Sequence, residues 1–436
     1  MRMFAVAVVV ITVLSGISDA LAQQPAAVPP QVVGRVLTLD EAVAIALENQ
    51  PNIQARLSDY AAAAYRVDQA LSPLLPQVTA GVTAARTQSF STVTRPGGSA
   101  VSIRNFDDAT FARVSVSQLL FDFGKTFAST EVARKLADVA SEDVELQRQL
   151  ITLAVKESYT NINFAQRLIA VQQQALERAD LNLRSARGFF EVGTRPKSDV
   201  ARAEVDVANA RVDLIRARNA ERNARVAMNT AMGIPANTPT QIQDNLVYEP
   251  VTLDPARLVG EAYRQRPESR QARLQVEAAD ARARRAFRDF FPDITASGYY
   301  GGTRAELNEV WEIGLGLSWS LFDGGNRMAR YRETRVLLDG AQARVRATEL
   351  DISREVEQAQ INVSESNDRI QAAKTAVESA LENFRLAQGR FDAGVGTILE
   401  LTDAQLALTQ TQNQETQALA DYRISLARLQ RAVGRR

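Results

Sequence analysis

The segment L-E-N-Q-P-N-I-Q-A-R at residues 47–56 returns at 263–273 as Y-R-Q-R-P-E-S-R-Q-A-R. L-P-Q-V-T-A-G-V at 75–82 returns as F-P-D-I-T-A-S-G at 291–298, and both pairs are offset by 216 residues. Further along, the offset is 201. Leu120-Phe121-Asp122 answers Leu321-Phe322-Asp323, F-E-V-G at 190–193 answers F-D-A-G at 391–394, and A-M-G at 231–233 answers A-V-G at 432–434. One register change of 15 residues between Ala80 and Leu120 reconciles the two offsets. A duplication on this scale means two copies of one architecture in one chain.

The duplicated part is preceded by a segment that reads as a signal peptide over residues 1–22. Arg2 supplies its positive end, Phe4 to Leu14 its apolar run, and Ala20-Leu21-Ala22 its cleavage site. The reading divides the remainder into a linker (23–36), a first repeat (37–233), a connector (234–253) and a second repeat (254–436). The chain has no Cys and no His. Disulfides, His-based nucleophilic triads and His-liganded zinc are thereby excluded. Lys plus Arg equal Asp plus Glu at 51 each, a balance that argues against a nucleic-acid partner. No cofactor and no enzyme chemistry is expected.

Within each repeat the dominant signal is a seven-residue seam. Val155, Ile162, Ile169, Leu176, Leu183 and Phe190 follow one another at that spacing, as do Val356, Val363, Ile370, Val377, Phe384 and Phe391. A strict heptad keeps one apolar side only if the helices supercoil left-handedly. Three residues on runs a small-residue line, Ala359, Ser366, Ala373, Ala380 and Ala387, which admits close neighbours. Shorter helices follow. The first carries Val200, Val207 and Leu214 beside Ala203, Ala210, Ala217, Ala224 and Ala231. The second carries Leu401 and Leu408 beside Ala404, Thr411, Ala418, Ser425 and Ala432. Gly-containing reversals join long helix to short, as in a helical hairpin. A helix of about 65 residues is roughly 100 Å long, the dimension of a tube or rod.

Each repeat also contains a strand pair. Trp311, Ile313, Leu315, Leu317, Trp319 and Leu321 alternate with small or polar residues, as do Ile294, Ala296, Gly298 and Tyr300. In the first repeat the alternating sets are Val78, Ala80, Val82 and Ala84, then Ala112, Val114, Val116 and Leu120. Strands of about 10 to 14 residues with aromatic ends suit a membrane barrel. Residues Gln88 to Asp108, with R-P-G-G-S inside, read as a long surface loop, against a short turn from Arg304 to Asn308 in the second repeat. Four strands cannot close a membrane barrel, so the barrel must be shared between chains. The residues themselves permit two, three or four chains.

In this order, twice over, the chain resembles the TolC-like outer-membrane efflux proteins, across nearly the whole mature length. The resemblance implies a mainly α fold with a membrane β-barrel. Four strands per chain would contribute to a shared twelve-stranded barrel in a homotrimer, continuous with a long coiled-coil barrel in the periplasm. It implies a passive exit duct of a tripartite efflux or type I secretion system, with outer-membrane lipid, a periplasmic adaptor and an inner-membrane pump as partners. It also puts Glu400 and Asp403, in F-D-A-G-V-G-T-I-L-E-L-T-D-A, where the family carries carboxylate rings at the periplasmic entrance, with Asp199 as the first-repeat counterpart of Glu400. The first two are one helical turn apart and share a face. Where parts of the family hold the closed tip with a Tyr and an Arg, this chain has Phe391 and Gly396, while an Arg, Arg195, stands in the first repeat. Phe391 and Arg195 are therefore the tip-gating candidates. Val192, Gly193, Thr194, Ala393, Gly394 and Val395 are the adaptor-contact candidates by position.

Two other classes compete. An exported trimeric coiled-coil adhesin or stalk would have one terminal strand cluster, whereas here strand pairs interrupt both halves. A secreted hydrolase using paired carboxylates would need a compact pocket domain, and no segment outside the repeats is long enough to supply it.

Overall fold

The structure is a computed structural model that describes residues 34–435, apart from 95, 99, 252–253 and 304–308. The signal-peptide reading and most of the linker reading lie outside the described residues. The element order is β1 (Val36–Leu37), α1 (Leu39–Asn49), α2 (Pro51–Leu71), β2 (Gln77–Thr94), β3 (Ala100–Phe121), α3 (Lys125–Glu191) and α4 (Lys197–Ala231). After β4 (Gln241–Ile242), the pattern recurs as α5 (Pro255–Gln265), α6 (Pro267–Arg288), β5 (Asp293–Thr303), β6 (Glu309–Ser318), α7 (Asn326–Asp392) and α8 (Ile398–Val433). The chain is mainly α-helical.

The two long helices have 67 residues each, about 100 Å at 1.5 Å per residue. The heptad seams face inward along most of their length, with Ile169, Leu176, Leu183, Val377 and Phe384 half-buried and Phe190 exposed. Val155, Ile162, Val356, Val363, Ile370 and Phe391 are buried, and so are Ala203, Val207, Leu214 and Ala217 on α4 and Leu401, Ala404, Leu408, Ala418 and Ala432 on α8. Each long helix starts on an aspartate. Asp122 accepts from the backbone N–H of Gly124 (2.9 Å) and Thr126 (2.6 Å), and Asp323 accepts from those of Gly325 (3.2 Å) and Arg327 (3.0 Å). These bonds satisfy N–H groups that have no partner within the helix. Phe123 stands in the left-handed region (φ 52°), held there by Phe121 and by stacking on Phe291.

The echoed segments pack on each other. The Gln50–Pro51 junction between α1 and α2 meets the end of α4, where the Gln50 side chain donates to the carbonyls of Thr230 (3.2 Å) and Ala231 (3.1 Å). Gly233 has φ 73°, and a Cβ there would lie 2.8 Å from the Asn49 carbonyl oxygen. Its counterpart Gly434 has φ 90°, with Gln265 and Arg266 at 3.0 Å from such a Cβ. Only glycine combines this backbone with this approach. The second junction is ionic instead. Buried Arg266 donates to Glu268 (2.6 Å) and Glu355 (2.7 Å), and Arg431 donates to the same two carboxylates (2.9 and 3.0 Å). Burial raises the pKa of Glu268, but hydrogen bonding and charge from Arg266, helped by Arg431, outweigh it and hold the carboxyl below its ordinary value. The connector is pinned by Tyr159, whose hydroxyl donates to Gln243 (2.7 Å) beside the β1–β4 pair. Burial pushes that phenol up to about 12.

The strand pairs lie side by side in one antiparallel sheet, ordered β2-β3-β5-β6. Cross-strand rows sort the side chains. Ala80, Val114, Tyr300 and Trp311 form one row, and Val78, Val116, Gly298 and Ile313 the next. The opposite face carries Thr79, Ser115, Tyr299 and Glu312. A bulge between Leu119 and Phe121 brings Phe121, rather than Leu120, into the apolar row with Ile294 and Leu317.

Two expectations are corrected. Gln88 to Asp108 is not a loop: β2 and β3 run through it in continuous register from Gln77↔Ser117 to Thr94↔Ala100, so the turn occupies only the few residues between the strands. The two strands have 18 and 22 residues against 11 and 10 for β5 and β6. The 15 extra residues thus lengthen a ribbon. At the other end, β6 stops at Ser318, short of Trp319 and Leu321. The short turn expected at Arg304 to Asn308 lies outside the described residues.

Candidate functional site at the hairpin tips

Far from the sheet, α3 turns into α4 and α7 into α8. Both turns use a glycine with positive φ, Gly193 (75°) and Gly394 (77°), just past the long helix. Its N–H and the next one return to the helix end: Gly193 to Phe190 and Thr194 to Phe189, Gly394 to Phe391 and Val395 to Arg390. The adaptor-contact candidates occupy these turns, with Val192 and Val395 strongly exposed.

The two tips are joined within the chain. Phe391 is 1% exposed, packed with Ile398 and Leu401 and met edge-on by Phe189. Above its ring lies the Arg195 guanidinium, 5.0 Å from the centroid. The same group donates to the Gly396 carbonyl at 2.5 Å and lies 3.9 Å from Asp199. Arg195 thus reaches from the first-repeat tip into the second by a cation–π contact and a charge-assisted hydrogen bond. Gly396 is part of this fit, because a Cβ there would fall 2.9 Å from that of Arg390. The structure brings together Phe391, Arg195 and Asp199.

Glu400 and Asp403 stand apart from that cluster, exposed on the first turns of α8. Thr397 caps the helix by accepting from the Glu400 N–H (3.2 Å), and the Glu400 carboxylate lies 3.5 Å from Arg390. Asp199 is only 15% exposed and salt-bridged, so its surroundings differ from theirs. The sequence reading missed Asp206, one heptad along α4 from Asp199. It is half-buried, with one carboxylate oxygen shielded and unpartnered. Burial raises its pKa, Arg202 opposes the rise, and the Asp403 charge adds to it. Heptad phase relative to Asp199 was the available signal. No group of side chains among the described residues is arranged to hold a metal ion.

Between the hairpins, the seam of α3 with α8 is polar. Asn182 donates to Gln405 (2.6 Å), Gln405 to the Ala175 carbonyl (3.2 Å), Gln172 to Asn413 (3.3 Å) and Arg178 to Gln412 (3.3 Å). Lys156 to Gln430 and Arg428 to Glu157, both 2.7 Å, continue it. The apolar seams lie mainly within hairpins and an amide-rich seam runs between them, closed at the tip by the apolar Phe189–Phe391 contact.

Comparison with known proteins bears on this geometry. The outer membrane efflux protein family matches residues 42–234 and 258–435, one stretch in each repeat. Outer membrane protein TolC of Escherichia coli is 24% identical over 405 residues, covering 88% of this chain and 80% of its own. The toluene efflux pump outer membrane protein TtgF of Pseudomonas putida is 26% identical over 417 residues, covering 93% and 84%. The open-state crystal structure of the Neisseria gonorrhoeae MtrE outer membrane channel superposes with a TM-score of 0.75 at 20% identity, covering 96% of each chain.

Proposed function

The chain belongs to the outer membrane efflux protein family, and from that premise we propose a homotrimer whose sheets close a twelve-stranded barrel above a helical tunnel. The chain is an outer-membrane efflux or secretion channel. The observation that carries the shared-barrel reading is the sheet; the number three comes from the family. It is apolar on one face and polar on the other, and among the described residues both outer edges, β2 and β6, are unpaired. Unpaired backbone groups in lipid cost several kcal/mol each, which closure between chains removes. No described helix is long and apolar enough to cross a membrane.

In this reading the protein is a passive duct in the outer membrane of a Gram-negative cell, its helices in the periplasm. A periplasmic adaptor docks at the tip turns, Val192 to Thr194 and Ala393 to Val395, and an inner-membrane pump supplies the driving force. Glu400 and Asp403 form rings of three carboxylates at the entrance, attracting cations. The Arg195 link to Phe391 and Gly396 holds neighbouring tips together in the resting state, and the polar seam lets the hairpins move apart when the adaptor engages. The test is single-channel recording of the purified chain in planar bilayers. We expect conductance, with cation selectivity reduced when Glu400 and Asp403 are both replaced by Ala. No conductance would favour a stalk, and unchanged selectivity would remove the two residues from the entrance.

A further inference from the structure

The ribbon that replaces the expected loop carries a pattern the channel function leaves unused. Beyond the Phe111↔Thr303 pair, β3 has no partner on the β5 side among the described residues, so β2 and β3 continue as a free two-stranded hairpin. Its register puts Arg86 opposite Asp108, Gln88 opposite Phe106, Phe90 opposite Arg104 and Thr92 opposite Ser102. By two-residue alternation these lie on the same face as Val78 and Val82, the apolar face of the sheet. The Arg86 guanidinium lies 5.4 Å from the Phe106 ring centroid, and that of Arg104 lies 5.6 Å from that of Phe90. Both rings are exposed. Arg86 also faces Asp108 at 3.3 Å.

Position supplies the second argument. From the Phe121–Ile294 row to the level of Gly302, β5 advances eight residues, about 20 Å of height for a strand tilted roughly 40°. The apolar band of such barrels is about 25 Å tall. Arg86 is four residues beyond that level, which puts it about 5 Å above the band, at headgroup depth, with Arg104 and Phe90 about 10 Å higher.

We propose that the outward face of this hairpin, with Arg86 and Arg104 braced on Phe106 and Phe90, binds the phosphorylated headgroup of a glycolipid in the outer leaflet. The hairpin face carries two arginines against the single carboxylate of Asp108, with Glu309 lower down at the level of Gly302. The face continues directly from the lipid-facing rows and rises too far for a short phospholipid headgroup to reach both arginines. Stacking against an aromatic ring fixes each guanidinium while leaving N–H donors for phosphate oxygens. The acyl chains of the same molecule lie against Val78, Val82 and Trp311 below.

This rests on the membrane-barrel reading, and the experiment separates the two. The purified full chain is titrated with lipid A (a diphosphorylated glucosamine lipid), with the same lipid dephosphorylated, and with inorganic phosphate, and binding is read by thermophoresis. We expect dephosphorylation, and the double variant Arg86→Gln/Arg104→Gln, each to weaken binding at least tenfold. Arg104→Lys retains part of the affinity, and inorganic phosphate alone competes weakly. Equal binding by parent and double variant, the outcome if the face serves a polypeptide ligand instead, overturns the proposal. So does equal binding of the dephosphorylated lipid, or inorganic phosphate that binds as tightly as lipid A. The double variant conducts like the parent in planar bilayers, because the hairpin stands outside the barrel. Loss of conductance in the parent itself would mark failure of the barrel reading.

Discussion

At the residue scale, Arg195 and Asp206 show how far neighbouring charges depend on packing that the sequence does not display. F-D-A-G-V-G-T in the second repeat announces a tip turn, and Glu400 and Asp403 are legible as first-turn acids. That Arg195 crosses to the Gly396 carbonyl and covers Phe391 is not legible, because it depends on how two hairpins meet. Asp206 is hidden for the same reason: on a heptad wheel it is one more acid, and only packing makes it half-buried. Its folded-state pKa lies above the ordinary aspartate value, by burial first and the Asp403 charge after it. Such a group stabilises the fold fully below the unfolded pKa, and that contribution is lost as pH rises through the folded one. Asp206→Asn should therefore raise the melting temperature at pH 7 and leave it unchanged once the pH is below the ordinary aspartate range. Equal effects at both pH values would show that the carboxylate is solvated.

At the element scale, the long helices were readable because a heptad kept from Val155 to Phe190, and again from Val356 to Phe391, has few alternatives, and most of its positions are buried or half-buried. The long ribbon was misread for a physical reason. Alternation of apolar and polar residues reports a face that is buried in lipid or core, and in the proposed barrel Gln88 to Asp108 lies past the lipid, where neither face needs to be apolar. R-P-G-G-S marked the turn but not its narrowness. The echoed segments, by contrast, had a structural meaning not visible in their order: A-M-G packs on E-N-Q-P, and A-V-G on R-Q-R-P. Gly233→Ala should cost about 2 to 4 kcal/mol, combining left-handed strain with overpacking. Gly340, inside α7 with open space around a built Cβ, is the control, and Gly340→Ala should stabilise by about 1 kcal/mol. Thermal unfolding of both variants checks the contrast, and a Gly233→Ala variant as stable as the parent would show that the junction yields.

For the whole molecule, the division of labour between seams leads to a test of opening. The chain has no cysteine, so thiols introduced at Asn182 and Gln405 would be the only pair present. Bridging them with a short bis-maleimide should hold α3 against α8 and lower the frequency of open events in single-channel recordings, while each single variant behaves like the parent. Opening unaffected by the bridge would mean that the α3–α8 joint does not move. The same division sets a response to temperature. Apolar packing within each hairpin weakens on cooling, whereas the Asn, Gln and Arg bonds across the joint are enthalpic and strengthen. Cold therefore loosens each hairpin and tightens the polar joint between them, so that in the proposed tunnel the joints stiffen as the hairpins soften.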